Sequence, residues 1–169
     1  PNLCVVDHPL VAHNLSHMRD QDSSTRTFRS LLRELTLLMG YELTRDLPLT
    51  TKRIQTPLVE MDAPVIAGKK VAIVPVLRAG LGMLDGVLDL IPSAKVSVVG
   101  VERNHETLMP EPYFERFVGQ LDERIALIIV FFLATGGSLI ATVDMLKGKG
   151  CKQIRALVLV AAPEGINAL

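Results

Sequence analysis

Apolar residues follow two rhythms along this chain. Phe28, Leu31, Leu32, Leu35, Leu38 and Met39 recur at i, i+3, i+4, i+7, i+10 and i+11. That spacing predicts one helical stripe facing a core. Ser23 and Ser24 stand just before it as N-cap residues. Later the rhythm changes to short continuous apolar runs at 71–77, 96–101, 125–132 and 154–162, each read as a strand. The first is followed by a glycine-rich turn and a helix to about residue 90. The third is followed by a helix to about residue 147, ended by Gly148 and Gly150. Pro163 suits the first position of a last helix.

The remaining segments are polar or interrupted. Residues 1–22 are mixed, and His8-Pro9 is expected to break any early helix. Residues 46–68 hold Pro48, Pro57, Pro64 and Gly68 and read as loops with a short extended segment. Residues 102–124 are long enough for a functional loop or a small hairpin. Strands apolar on both faces belong inside a parallel sheet covered by helices. The expected fold is therefore α/β: a three-layer parallel sheet flanked by helices.

Composition narrows the function classes. The 169 residues suit one domain with a real core, and the mix of 49% hydrophobic and 21% charged residues suits a globular chain. Formal net charge is zero, so no global field draws in nucleic acid or an anionic membrane. Any anion site must be local. Cys4 and Cys151 match no metal or redox spacing and read as reduced thiols of a cytoplasmic protein. No signal peptide opens the chain, and no apolar run reaches the roughly 20 residues a membrane span needs. The chain starts at Pro1 and stops at Leu169, about one turn into a predicted helix, so a fragment or incompletely given domain is expected.

The strongest chemical signal is Thr135-Gly136-Gly137-Ser138, where a buried strand ends and a helix begins. Free amides at a helix start, with the helix dipole, suit a phosphate dianion. The competing reading is an ordinary turn capped by Thr135 or Ser138. A second glycine-rich turn carries Arg78, whose planar fork can grip a phosphate at the carboxyl edge of the sheet. Alternatively, Arg78 is a surface arginine paired with a group such as Asp85. Gly80, Gly82 and Gly86, with Glu102 ending the next strand, loosely imitate a dinucleotide fingerprint, but the spacing is off by one. Arg103 is either a second cation over the same pocket or one half of a solvated Glu102-Arg103 pair. His13 and His17 can share a helix face, but no further ligand is spaced to make a metal site. Tyr41-Glu42 and Met83-Leu84 read as helix packing.

At these residues a family resemblance becomes specific. VPVLRAGLGMLDGVL (74–88), PSAKVSVVGVERNHETLMPEPYF (92–114), LATGGSLIAT (133–142) and LVLVAAPEGI (157–166) resemble uracil phosphoribosyltransferases, and segments at 7–29 and 41–47 agree. The resemblance implies a type I phosphoribosyltransferase fold with a small hood, occupying residues 1–169 as a single domain. It implies the reaction of uracil with 5-phosphoribosyl 1-diphosphate (PRPP), giving UMP and diphosphate in pyrimidine salvage. Magnesium would be carried with PRPP rather than in a protein cage. A homodimer or homotetramer, a GTP effector and a cytoplasmic location are implied as well. Carried over by position, Thr135, Gly136, Gly137 and Ser138 would hold the 5′-phosphate, and Leu133 and Ala134 would belong to the same PRPP-binding segment. Arg78 and Arg103 would bind the rest of PRPP, and residues 103–113 would cover the site.

The chain departs from the family pattern in two places. The family reads Asp-Pro-Met before Leu-Ala-Thr-Gly-Gly-Ser, and this chain has Val130, Phe131 and Phe132. The carboxylate that would accept from the ribose hydroxyls is therefore missing. The uracil-recognition segment of the family is expected beyond Leu169. A non-catalytic PRPP- or nucleotide-binding regulator on the same fold is the alternative these departures motivate.

Overall fold

The computed structural model describes residues 3–68, 71–104, 106–107 and 109–169. Two helices come first. α1 (Pro9–Arg19) forms where a break was expected. The imidazole Nδ1 of His8 accepts from Leu10 N at 3.1 Å, and Pro9 sits in the first turn. A first-turn amide has no partner inside the helix, so proline loses nothing there. α2 (Thr25–Leu43) starts on Ser24, whose hydroxyl accepts from Thr27 N at 3.1 Å, as its position predicted.

Residues 46–68 are more ordered than expected. β1 (Leu49–Gln55) and β2 (Glu60–Ile66) pair antiparallel as a hairpin. Thr56 closes its turn through Val59, and Leu58 at the tip is 95% exposed. Pro64 is accommodated because each strand of a two-stranded ribbon has a free edge.

The main sheet runs β6-β5-β3-β7-β8. It comprises β3 (Val71–Leu77), β5 (Val98–Arg103), β6 (Pro110–Arg116), β7 (Ile125–Leu133) and β8 (Gln153–Ala161). A two-residue strand, β4 (Lys95–Val96), lies beside β3. The single strand expected at 96–101 is thus split at Ser97. That residue is fully buried; its N–H donates to Ile73 O, and its hydroxyl accepts from Val118 N at 3.1 Å. All pairings are parallel except β5 with β6, so residues 102–124 supply a hairpin.

α3 (Leu81–Leu90), α4 (Gly137–Gly148) and α5 (Pro163–Asn167) follow β3, β7 and β8. β7 feeds a core on each face. Ile125, Leu127 and Ile129 pack with Val71, Ile73, Leu35 and Met83 on the side of α1, α2 and α3. Ala126 and Ile128 pack with Val74, Val99, Leu139 and Leu146 on the side of α4. The three layers expected from the apolar runs are present, with one antiparallel edge strand. Met83 is core, as expected, whereas Tyr41 is 59% exposed beneath the Arg45 guanidinium. No helix among the described residues is long and apolar enough to cross a membrane.

Candidate active site

β5, β3 and β7 run parallel, so their carboxyl ends share one edge of the sheet. Open α/β folds bind ligands at such an edge. β7 ends at Leu133, which is buried, and Leu133 O accepts from Ala162 N at 2.8 Å. The side chain of Leu133 is therefore part of the core, and its backbone anchors the start of the loop. Ala134 and Thr135 are exposed. Gly136 then takes φ +89°, a left-handed conformation natural only to glycine, and its carbonyl receives the first helical bond from Ile140 N at 2.9 Å.

No side chain caps α4. The reading in which Thr135 or Ser138 serves as cap does not hold. The first-turn amides keep their hydrogens, and both hydroxyls remain available. The first turn of α4 also carries no acidic residue to repel an anion. Oriented donors and a helix dipole of this kind favour an anion over a cation in physical terms.

Arg103, at the end of β5, comes to this loop. Together with Pro110, Thr135, Gly137 and Ser138 it lines a cleft of about 50 Å³. That is room for a small polyatomic anion rather than a whole nucleotide. Glu102 and Arg103 are both exposed, as the solvated-pair reading expects, although no ion pair joins either to a described residue. Arg78 is exposed at the end of β3, after a cis Leu77–Arg78 peptide, and does not line the cleft. Among the described residues it makes no ion pair with Asp85.

The glycines after Arg78 serve packing. A Cβ on Gly80 would lie 2.7 Å from Ile129 O and Val76 O, and one on Gly86 would lie 2.6 Å from Arg33 O of α2. They seat α3 on the sheet and on α2, which removes the dinucleotide reading. His13 and His17 meet edge-to-face, with ring centroids 4.5 Å apart, on the exposed side of α1. Among the described residues, no group of three or more His, Cys, Asp or Glu side chains is placed to hold a metal.

The three residues before the loop divide between faces. Val130 is half-buried against the α4-side core, and Phe131 stacks obliquely with Phe28 at 5.8 Å on the other. Phe132 is 52% exposed. The carboxyls held below their ordinary range are Glu42, Asp46 and Asp89, each hydrogen-bonded by an arginine, and none lines the cleft. Pro110 and Asn104 were not singled out from the sequence. The available signal was asparagine directly after a strand-end arginine, a residue type that favours turns.

Comparison with known proteins bears on this geometry. The family model for uracil phosphoribosyltransferase matches residues 5–169. A uracil phosphoribosyltransferase of Burkholderia thailandensis is 59% identical over 169 residues, covering 99% of this chain and 77% of the relative. A solved structure of a protein from Aquifex aeolicus superposes with a TM-score of 0.90 at 33% identity, over 96% of this chain and 78% of that one. A hypoxanthine-guanine phosphoribosyltransferase of Bacillus anthracis, 12% identical, superposes with a TM-score of 0.58 over 80% of this chain and 70% of its own, a likeness of fold alone. The family-model match over residues 5–169 and the 59% identity across almost the whole chain place it in the uracil phosphoribosyltransferase family.

Proposed function

We propose that this protein transfers the phosphoribosyl group of PRPP to uracil, giving UMP and diphosphate in pyrimidine salvage. The observation that carries the reading is the small cleft where Arg103 meets the uncapped start of α4. In this reading the amides of Gly137 and Ser138, with the Thr135 and Ser138 hydroxyls, hold the 5′-phosphate. Arg103 neutralises it from above. Arg78, at the end of the neighbouring strand, takes the diphosphate side of the substrate. The bond from the ribose anomeric carbon to diphosphate breaks, a bond to a uracil ring nitrogen forms, and that nitrogen gives up its proton. Positive charge grows at the anomeric carbon between the two steps, so fixing both ends of PRPP lowers the barrier by orientation and charge placement.

The groups around the loop are backbone N–H groups, two hydroxyls and a guanidinium, a set without a carboxylate that does not fit a resident magnesium. The ion enters as part of the PRPP substrate. The same reading carries a homodimer or homotetramer, a GTP effector and a cytoplasmic setting. UMP formation from uracil with saturating PRPP and magnesium tests the reaction. Absence of turnover under these conditions would overturn it. Light scattering with and without GTP tests the assembly and the effector.

Val130 favours one second reading. An apolar, half-buried side chain stands where the family pattern has a carboxylate. A PRPP- or nucleotide-binding regulator would bind PRPP or UMP in calorimetry with no turnover, and Val130→Asp would restore activity. Turnover by the unaltered protein at ordinary family rates would exclude it.

A further inference from the structure

Among the described residues, Asn104 makes most of the side-chain hydrogen bonds of the turn between β5 and β6, and the Thr107 hydroxyl adds one from Met109 N at 3.3 Å. Asn104 follows Arg103 directly and is half-buried. Its carboxamide oxygen accepts from Glu106 N at 2.8 Å and Thr107 N at 2.9 Å. Its amide nitrogen donates to Glu111 Oε1 at 2.8 Å, across on β6. Its backbone N–H donates to Met109 O at 2.9 Å. The carboxamide thus works in both directions, closing the turn on itself and tying it to the returning strand.

Nothing apolar among the described residues of the turn performs this task. Glu106 and Thr107 are exposed, and Met109 is 63% exposed. Yet the turn fixes two parts of the cleft. Arg103 stands opposite Pro110 in the β5–β6 ladder. Pro110 in turn lies 3.5 Å from where a Cβ on Gly137 would be, against the first residue of α4. If the turn slackened, the ring of Pro110 and the guanidinium of Arg103 would lose their fixed height over Thr135 and Ser138.

We infer that Asn104 is a positioning residue of this site: it does not line the anion cleft, and it sets the turn that holds Arg103 and Pro110 over the start of α4. The inference rests on the reading of that cleft as the PRPP phosphate site. Ordering a mobile turn is a cost otherwise met at binding, so loosening it weakens affinity without a lost ligand contact. Losing part of this ordering is expected to weaken affinity about tenfold, the change that about 1.4 kcal/mol produces.

PRPP binding is measured by calorimetry, with thermal melts as a check on folding and steady-state kinetics alongside. Asn104→Ala is expected to raise the Kd and KM for PRPP about tenfold or more, with kcat within about threefold and the melt unchanged. Asn104→Asp paired with Glu111→Gln rebuilds the same network with the groups exchanged, and is expected to bind within about threefold of the unaltered protein. Equal PRPP affinity for Asn104→Ala and the unaltered protein would overturn the inference. So would a double variant as weak as Asn104→Ala. If the unaltered protein itself binds no PRPP, the proposed function fails first.

Discussion

A methyl group at Gly80 would lie 2.7 Å from three backbone atoms, those of Val76 N, Val76 O and Ile129 O. Its φ of −61° suits any residue, so the objection to a side chain is purely steric. Gly80→Ala is expected to cost about 1–3 kcal/mol, read as a lower urea midpoint. Gly148 has nothing within 4 Å of the same position. Gly148→Ala should leave stability within about 0.5 kcal/mol or raise it. These contrasting glycines show what a sequence conceals. Thr135 to Ser138 is legible because its chemistry is local: a strand ends, a left-handed glycine turns, a helix starts. Gly80, Gly82 and Gly86 look like a phosphate motif only because their partners on α2 and β7 lie some fifty residues away in either direction. Val130 poses the sharpest residue-scale question. A carboxylate able to accept from ribose hydroxyls is worth about 1.5–3 kcal/mol, so Val130→Asp is expected to raise kcat/KM for PRPP about tenfold or more in the UMP assay. The substitution places a charge beside a core, and a lower melting temperature should accompany the gain.

The elements that pattern alone missed share a cause: neither is shaped by a buried face. α1 has only Val11 and Met18 buried, and its first turn depends on the Nδ1 of His8, a cap that periodicity does not register. The β1–β2 hairpin is exposed along most of both strands, so the inside–outside alternation that betrays a strand is absent. The buried strands, by contrast, fall within about two residues of their apolar runs, and the apolar stripe from Phe28 to Met39 lies inside α2. Ion pairs tie these elements together. Arg155 of β8 donates to Leu43 O and to Asp46, just past α2, and Arg33 of α2 grips Asp89 of α3 through two bonds of 2.5 and 2.9 Å. Each arginine's hydrogen bond holds its carboxyl below the ordinary range. A carboxyl depressed in the folded state is protonated more readily when unfolded. Its contribution is therefore complete above about pH 4 and is lost as the pH falls through the folded value. Calorimetric melts from pH 7 to pH 3 should show falling stability at the acid end, with a shallower fall in Asp46→Asn.

For the whole molecule, zero net charge leaves any attraction for an anion to local groups rather than to the protein's overall field, and the proposed phosphate site relies on Arg103. Raising salt from about 0.05 to 0.5 M shrinks the screening length severalfold, so the KM for PRPP should rise. Arg103→Gln should flatten that dependence as well as raise KM, whereas Arg53→Gln on the hairpin, already paired with Glu60 and Asp62, should leave the slope alone. β7 adds a constraint of another kind. Its successive side chains enter opposite cores, and the same strand delivers the backbone to the anion loop. Removing one residue from its middle would exchange the contents of the two cores at every later position and turn the loop away from Arg103. The hairpin tip at 57–59 is under no such obligation. The tip therefore has room for an extra or a missing residue, whereas in β7 the number of residues is itself a structural requirement.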